Sequence, residues 1–185
     1  MAKKGEYGYL KDRLKRQALL STIGIVIIIV TIIVGYLRYH TRNNMFTIAA
    51  ALVALPTAKV LVGFIICIKN KSPEKEKYLE LKEKSKTPYI LSDLLLTSKE
   101  NMMPFEFGAI NNNNVWLYTS NKKIDKKKSE DYIKSFFGSE IKNVNVRIID
   151  DYNVLLKTVS KITPKEDNNY ELEEKIKNTL MILQY

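Results

Sequence analysis

The sequence predicts a two-helix transmembrane hairpin followed by a small cytosolic α/β (α+β) domain, and three observations predict it. Ala18–Leu37 (ALLSTIGIVIIIVTIIVGYL) runs for 20 residues without a charge. Wound as a helix, such a run matches the ~30 Å hydrocarbon core of a bilayer. After the polar link Arg38-Tyr39-His40-Thr41-Arg42-Asn43-Asn44, a second apolar run spans Met45–Ile68, broken only by Lys59 near its middle. From Tyr89 the pattern changes to short apolar segments divided by turn residues, the signature of a mixed strand and helix domain.

Residues 1–17 read as a basic cytosolic N-terminus carrying Lys3, Lys4, Lys11, Arg13, Lys15 and Arg16. The run at 18–37 is longer than the ~7–15 apolar residues of a cleaved signal, and no small-x-small site follows it. It is expected to remain as a span. In the second run, 45–68, Lys59 costs ~2.5–3.5 kcal/mol at a helix centre. Twelve Leu, Ile, Val and Phe residues oppose it at roughly −0.3 to −0.6 kcal/mol each, about −5 in total, so insertion wins.

Lys69, Lys71, Lys75 and Lys77 follow the second span, while the link offers only Arg38 and Arg42. The positive-inside rule therefore places both termini in the cytosol and the link outside, as in a multi-pass inner-membrane protein. The richness in Lys, Ile and Asn suggests an AT-rich, bacterial genome. Topology, together with attraction to anionic lipids of roughly 1 kcal/mol per surface cation, accounts for much of the formal net charge of +10. The single cysteine, Cys67, allows no intramolecular disulfide, which suits a cytosolic domain.

Residues 69–87 are expected to form a juxtamembrane helix or linker. Ser72-Pro73-Glu74 offers a capping hydroxyl, a proline at the first helical position and an acid in the first turn. Thr87-Pro88 ends the helix. Residues 88–185 then form the domain, which with the linker makes roughly 110 residues, a usual size. Tyr89–Thr97 reads as a first strand. After a loop containing Pro104, Phe105–Ile110 reads as a second, and Asn111–Asn114 supply turn chemistry because Asn tolerates positive φ. Val115–Thr119 is a third strand. Tyr132, Ile133, Phe136 and Phe137 mark a helix over 126–137, stopped by Gly138. Val144, Val146 and Ile148 alternate as a fourth strand, and two helices follow over 153–162 and 170–183. The domain's order is α-β-β-β-α-β-α-α.

That order, over residues 74–150, resembles the core of the restriction-endonuclease-like nucleases and the nuclease-related domains that bacteria attach to membrane spans. The resemblance implies an acid on the second strand, for which Glu106 stands, and an acid-x-Lys pair on the third. Here the third strand offers Trp116-Leu117-Tyr118-Thr119-Ser120, and Lys122 and Lys123 come after it. One carboxylate does not make a Mg²⁺ clamp, so the resemblance implies the fold with its activity lost.

Several constellations carry chemistry. Pro56-Thr57-Ala58-Lys59 interrupts the second span, since proline frees the carbonyl of Leu52. An ionisable residue at that depth calls for a partner, and the first span contains no acid. The alternatives are a carboxylate in another membrane helix, a polar cavity at the proline-freed backbone, or snorkelling, which would have to cover ~13 Å to the inner headgroups. Ala50, Ala54 and Ala58 form a small-xxx-small row, which lets helices approach and is expected to pack on the first span. Lys122, Lys123, Lys126, Lys127 and Lys128 form a basic cluster near Trp116 and Tyr118. It suits a solvated surface or anionic lipid better than nucleic acid, whose bases would stack on those rings. His40 is the only histidine and has no second ligand beside it, and Asp150-Asp151 read as a helix cap. There is no Gly-rich phosphate loop, CxxC, HExxH or GxSxG, so no cofactor, metal site or catalytic residue is assigned.

The functional expectation is a non-catalytic membrane-anchored accessory, scaffolding or regulatory protein. It would associate with a membrane protein partner or a second copy of itself, and present its domain to other partners. Two alternatives of other classes stand beside it. One is a membrane-tethered, nuclease-like domain that binds nucleic acid. The other is a subunit of an oligomeric transporter, because a proline-broken span with a buried charge also suits a substrate path.

Overall fold

The computed structural model describes residues 1–185 apart from 42, 88, 99–100, 139–140, 142 and 163–169. The chain forms two compact units, Leu10–Lys71 and a second made of Met1–Tyr9 with Ser72–Tyr185.

The first unit is a pair of long helices, α1 (Tyr9–Tyr39) and α2 (Met45–Lys69). Both are long and apolar enough to cross a membrane, and only 11 % of either apolar window is buried. Asn44 caps α2, its side-chain oxygen accepting the Thr47 N–H at 3.0 Å. The helices pack through glycine. A Cβ on Gly24 would stand 2.5 Å from Thr57 Oγ1, one on Gly35 would stand 2.6 Å from Phe46 Cβ, and one on Gly63 would stand 3.0 Å from Gln17 Nε2. Among the less exposed positions of α2, Phe46, Ala50, Val53, Thr57, Val60, Phe64 and Cys67 recur every three or four residues and, with Gly63 beside them, define a seam against α1.

The second unit is a four-stranded mixed sheet with helices on both faces. The strands are β1 (Tyr89–Thr97), β2 (Met102–Asn111), β3 (Asn114–Tyr118) and β4 (Asn145–Ile149), lying side by side in that order. β1, β2 and β3 form an antiparallel meander, and β4 runs parallel to β3 after a crossover through α4 (Lys126–Gly138). Leu117, Ile133, Phe137, Ile176 and Leu180 build a core between one sheet face and helices α4 and α6 (Tyr170–Ile182). On the other face, Leu81 of α3 (Lys75–Lys84) and Leu155 and Val159 of α5 (Tyr152–Ser160) pack on Phe107, Ala109 and Tyr118. The architecture agrees with a helical hairpin followed by a small α/β domain.

Several details differ from the sequence reading. β2 begins at Met102 and takes in Pro104, expected in a loop, because β3 pairs only with Phe107–Asn111 and the proline stretch has a strand on one side alone. Leu91, Leu94 and Leu96 all face the α4–α6 core, so β1 changes face at Asp93, whose φ is +55°. β2 changes face opposite it, Phe105 pointing to the α4–α6 core and Phe107 to the other. Asp is among the few residues that tolerate this left-handed backbone. Ser72 does not cap α3. That helix starts at Lys75 behind Glu74 without a side-chain cap, and the Ser72 hydroxyl donates instead to Asp93 Oδ2 at 3.1 Å. Pro88, expected to help end α3, lies outside the described residues.

The outer edge of β1 is covered by both ends of the chain. Ser92 N–H donates to the Gly5 carbonyl at 2.9 Å, and Gly8 N–H donates to Asp93 Oδ2 at 2.6 Å. Further along, Thr97 N–H donates to the Leu183 carbonyl and Tyr185 N–H to that of Leu95, both at 2.9 Å. The two ends also join each other, Lys4 Nζ donating to the Gln184 carbonyl at 2.6 Å. Gly5 (φ +83°) and Gly8 (φ +88°) supply the turns that aim this segment. Tyr7 stacks on Tyr78 with ring centroids 4.8 Å apart. A sheet edge left bare invites pairing with other chains; this one is closed from within.

Candidate functional site

In the helical pair, Lys59 lies two residues beyond Thr57. At 3.6 residues per turn that carries it roughly 200° round α2, onto the face opposite the seam. It is exposed, and it makes no hydrogen bond or ion pair among the described residues. Thr57 faces α1 at Gly24 and donates its hydroxyl to the Val53 carbonyl at 2.8 Å. Pro56 is exposed inside the continuous helix. The structure thus separates Thr57, in the seam, from Lys59, outside it. Of the alanine row, Ala50 is 3 % exposed, Ala54 is half-buried and Ala58 is exposed, because a spacing of four drifts off the seam. The close approach is made by Gly24, Gly35 and Gly63. Two of these were legible, since Gly24 and Gly35 stand eleven residues apart and so share a face of one helix.

In the domain, Lys122, Lys123, Lys126, Lys127 and Lys128 are all exposed around the loop before α4 and its first turn. Lys126 pairs with Asp150 at 2.5 Å, and its ammonium holds that carboxyl below the usual range. Lys128 lies 3.8 Å from Asp125, whose other oxygen accepts the Lys128 N–H and caps α4. Lys122, Lys123 and Lys127 form no ion pair among the described residues, although the charge of Lys122 also helps hold Asp150 down. Lys123 and Lys128 border a cavity of roughly 520 Å³, walled also by Asn121, Met102, Met103 and Tyr132. The Ser129 hydroxyl, 7 % exposed and without a hydrogen bond among the described residues, lines the same cavity.

Of the two rings expected near this cluster, Trp116 is half-buried against the α3–α5 side of the sheet. Tyr118 is 6 % exposed, stacked on Phe107 at 6.1 Å and edge-on to Tyr152 at 5.9 Å, so it offers no face to a base. Burial, with Glu106 nearby, pushes its phenol upward. Tyr152 donates its hydroxyl to the Lys77 carbonyl at 2.7 Å and lies 3.1 Å from Glu80 Oε2. Burial first, and then that carboxylate, raise its pKa strongly. Glu106 lies on β2, and one of its oxygens accepts both the hydroxyl and the N–H of Ser120. Asp151 caps α5 by accepting the Asn153 N–H at 2.8 Å. His40 ends α1 with φ +50°. Among the described residues, no three His, Cys, Asp or Glu side chains converge as a metal site.

The sequence reading missed two buried acids. Asp93 joins Gly8, Ser72 and, through its backbone carbonyl, the Gln184 side chain at 3.0 Å. Glu173, 1 % exposed, accepts the Asn112 N–H at 2.7 Å and so fixes the β2–β3 turn. No sequence signal marks either, because their partners are distant in the chain.

Comparison with protein-family models, with curated proteins and with solved structures finds no match to this chain.

Proposed function

We propose that the chain is a non-catalytic accessory or scaffolding protein of a bacterial inner membrane, associating with other membrane proteins through its second span and presenting its domain in the cytosol. One observation carries this reading: an ammonium, Lys59, stands on the outward face of an apolar helix, away from the helix that packs beside it. A group so expensive in lipid calls for a polar neighbour. The N-terminal nine residues belong to the same compact unit as Ser72–Tyr185, which supports a hairpin with both ends on one side. The basic residues flanking the spans support the cytosol as that side.

Co-purification from native membranes in mild detergent, wild type beside Lys59→Leu, with mass spectrometry of what accompanies each, tests the reading. A stoichiometric partner is expected with the wild type. A chain that is strictly monomeric in native-lipid discs, with every phenotype intact in Lys59→Leu, refutes it.

A second reading, a membrane-tethered, nuclease-like domain that binds nucleic acid without cutting it, is favoured by Lys122, Lys123 and Lys127, exposed and without an ion pair among the described residues, of which Lys123 borders the cavity before α4. Phosphate contacts give a steep salt dependence. Absence of DNA and RNA binding at low salt by the full chain in discs excludes it.

A further inference from the structure

α2 carries two stripes. The seam faces α1. On the opposite side Ile48, Leu52, Leu55, Lys59 and Val62 recur at the same three-and-four spacing, and the four apolar members are 62 %, 65 %, 72 % and 54 % exposed. Nothing among the described residues covers this second stripe. We infer that it docks a membrane helix of a different protein, one that carries an Asp or Glu near the middle of its span. The inference rests on the membrane association proposed above and names the partner's chemistry.

Three features argue for that occupant. The first is charge. Lys59 sits at the centre of the stripe without a partner among the described residues, so the complementary surface needs an anion at the same depth. The second is the make-up of the spans themselves. Neither 18–37 nor 45–68 contains an Asp or Glu, so a second copy would set lysine against lysine in lipid and neutralise nothing. That separates a different protein from self-association. The third is the local backbone. Pro56 brings no N–H to the carbonyl of Leu52, which leaves a second polar group beside the lysine on the same stripe. Exposed Ala51 and Ala58 flank the stripe and let another helix backbone come close. A lipid-facing surface would gain nothing from either polar group, whereas a polar partner helix would use both.

The test places a photo-crosslinking residue at Leu55 of the full chain in its native membranes, in wild-type, Lys59→Leu and Lys59→Arg backgrounds. Trp116 fluorescence verifies that each variant is folded. The expected result is one adduct whose crosslinked peptide comes from an apolar segment holding an Asp or Glu. Its yield should fall at least tenfold in Lys59→Leu and persist in Lys59→Arg. Lys59→Glu combined with exchange of the partner's acid for lysine should restore it. An adduct at twice the chain's mass, an adduct to a segment without an acid, a yield unchanged in Lys59→Leu, or crosslinking to lipid alone overturns the inference. If a partner still co-purifies stoichiometrically in that case, the accessory reading stands and only this stripe is wrong. If none does, both fall.

Discussion

Asp93 ties Gly8 and Ser72 to the sheet within the domain's own unit, and replacing it tests that arrangement quantitatively. Its carboxylate accepts the Gly8 N–H at 2.6 Å and the Ser72 hydroxyl at 3.1 Å, in a site 1 % exposed. Hydrogen bonds to a charged group contribute about 1.5–3 kcal/mol each. The left-handed backbone at φ +55° adds roughly 1 kcal/mol against alanine, which lacks the side chain that makes this conformation tolerable. The two bonds share one oxygen and do not add fully, so Asp93→Ala should cost about 4 kcal/mol. Asp93→Asn keeps an acceptor and the backbone preference and should cost roughly 1–2 kcal/mol. Domain stability of about 5–15 kcal/mol is expected to survive either change. The assay is urea unfolding of the full chain in discs, read by Trp116, the only tryptophan, which sits half-buried on β3. Hydrogen exchange adds the location: in Asp93→Ala the Gly8 and Ser92 amides should lose protection before Val115. An alanine variant within 1 kcal/mol of wild type, or an asparagine variant no better than alanine, refutes the reasoning.

Gly24→Val should force α1 from Thr57 and cost about 1–3 kcal/mol of hairpin packing. Slower or doubled migration on detergent gels would report it, while Gly138→Val, which meets nothing within 4 Å, serves as control. Tyr152→Phe removes the bond to the Lys77 carbonyl and should lower urea stability by about 1 kcal/mol, chiefly by loosening α3 from α5. Asp150 is held below the ordinary aspartate value by Lys126, so its contribution is complete above that ordinary value and fades as pH falls through the lower folded value. Lys126→Ala should flatten the pH dependence of unfolding in that acidic window, and an unchanged profile would count against the pair. Asn43→Cys should react with a membrane-impermeant maleimide added outside intact cells, and labelling only after lysis reverses the proposed orientation.

Where order is local, the sequence announces it. Two apolar runs, a chain of four asparagines and the 3.6-residue period of Ile133 and Phe137 each act within one turn or one span, and the elements they mark are present. Pro104 misled because proline suppresses a strand only where both edges must pair, and edge status is a property of the assembled sheet. The switch of face at Asp93 defeats any reading by period, since a single left-handed residue inverts the alternation on either side of it. The closure of the β1 edge was illegible for another reason. Gly8 and Asp93 stand 85 positions apart, and the eight residues before α1, without an apolar period, carry no sign of what they will pair with. On the membrane side, Lys59 was conspicuous by its type alone. Which way it faces needed the seam, and the seam is written in Gly24, Gly35 and Gly63 more than in the alanines.

The closure of one sheet edge by both chain ends has a consequence for synthesis. Gly5 is made well before Ser92, the residue that donates to it, which emerges only after both apolar helices have been made. Its partner strand is therefore made only after both long helices. If the hairpin spans a bilayer as proposed, Gly5 and Gly8 reach the edge of β1 only where they lie on the same side as Ser72–Tyr185. On the proposed topology, a chain threaded the other way would leave the edge of β1 bare, so closing the sheet would tie folding of the domain to the orientation of the hairpin.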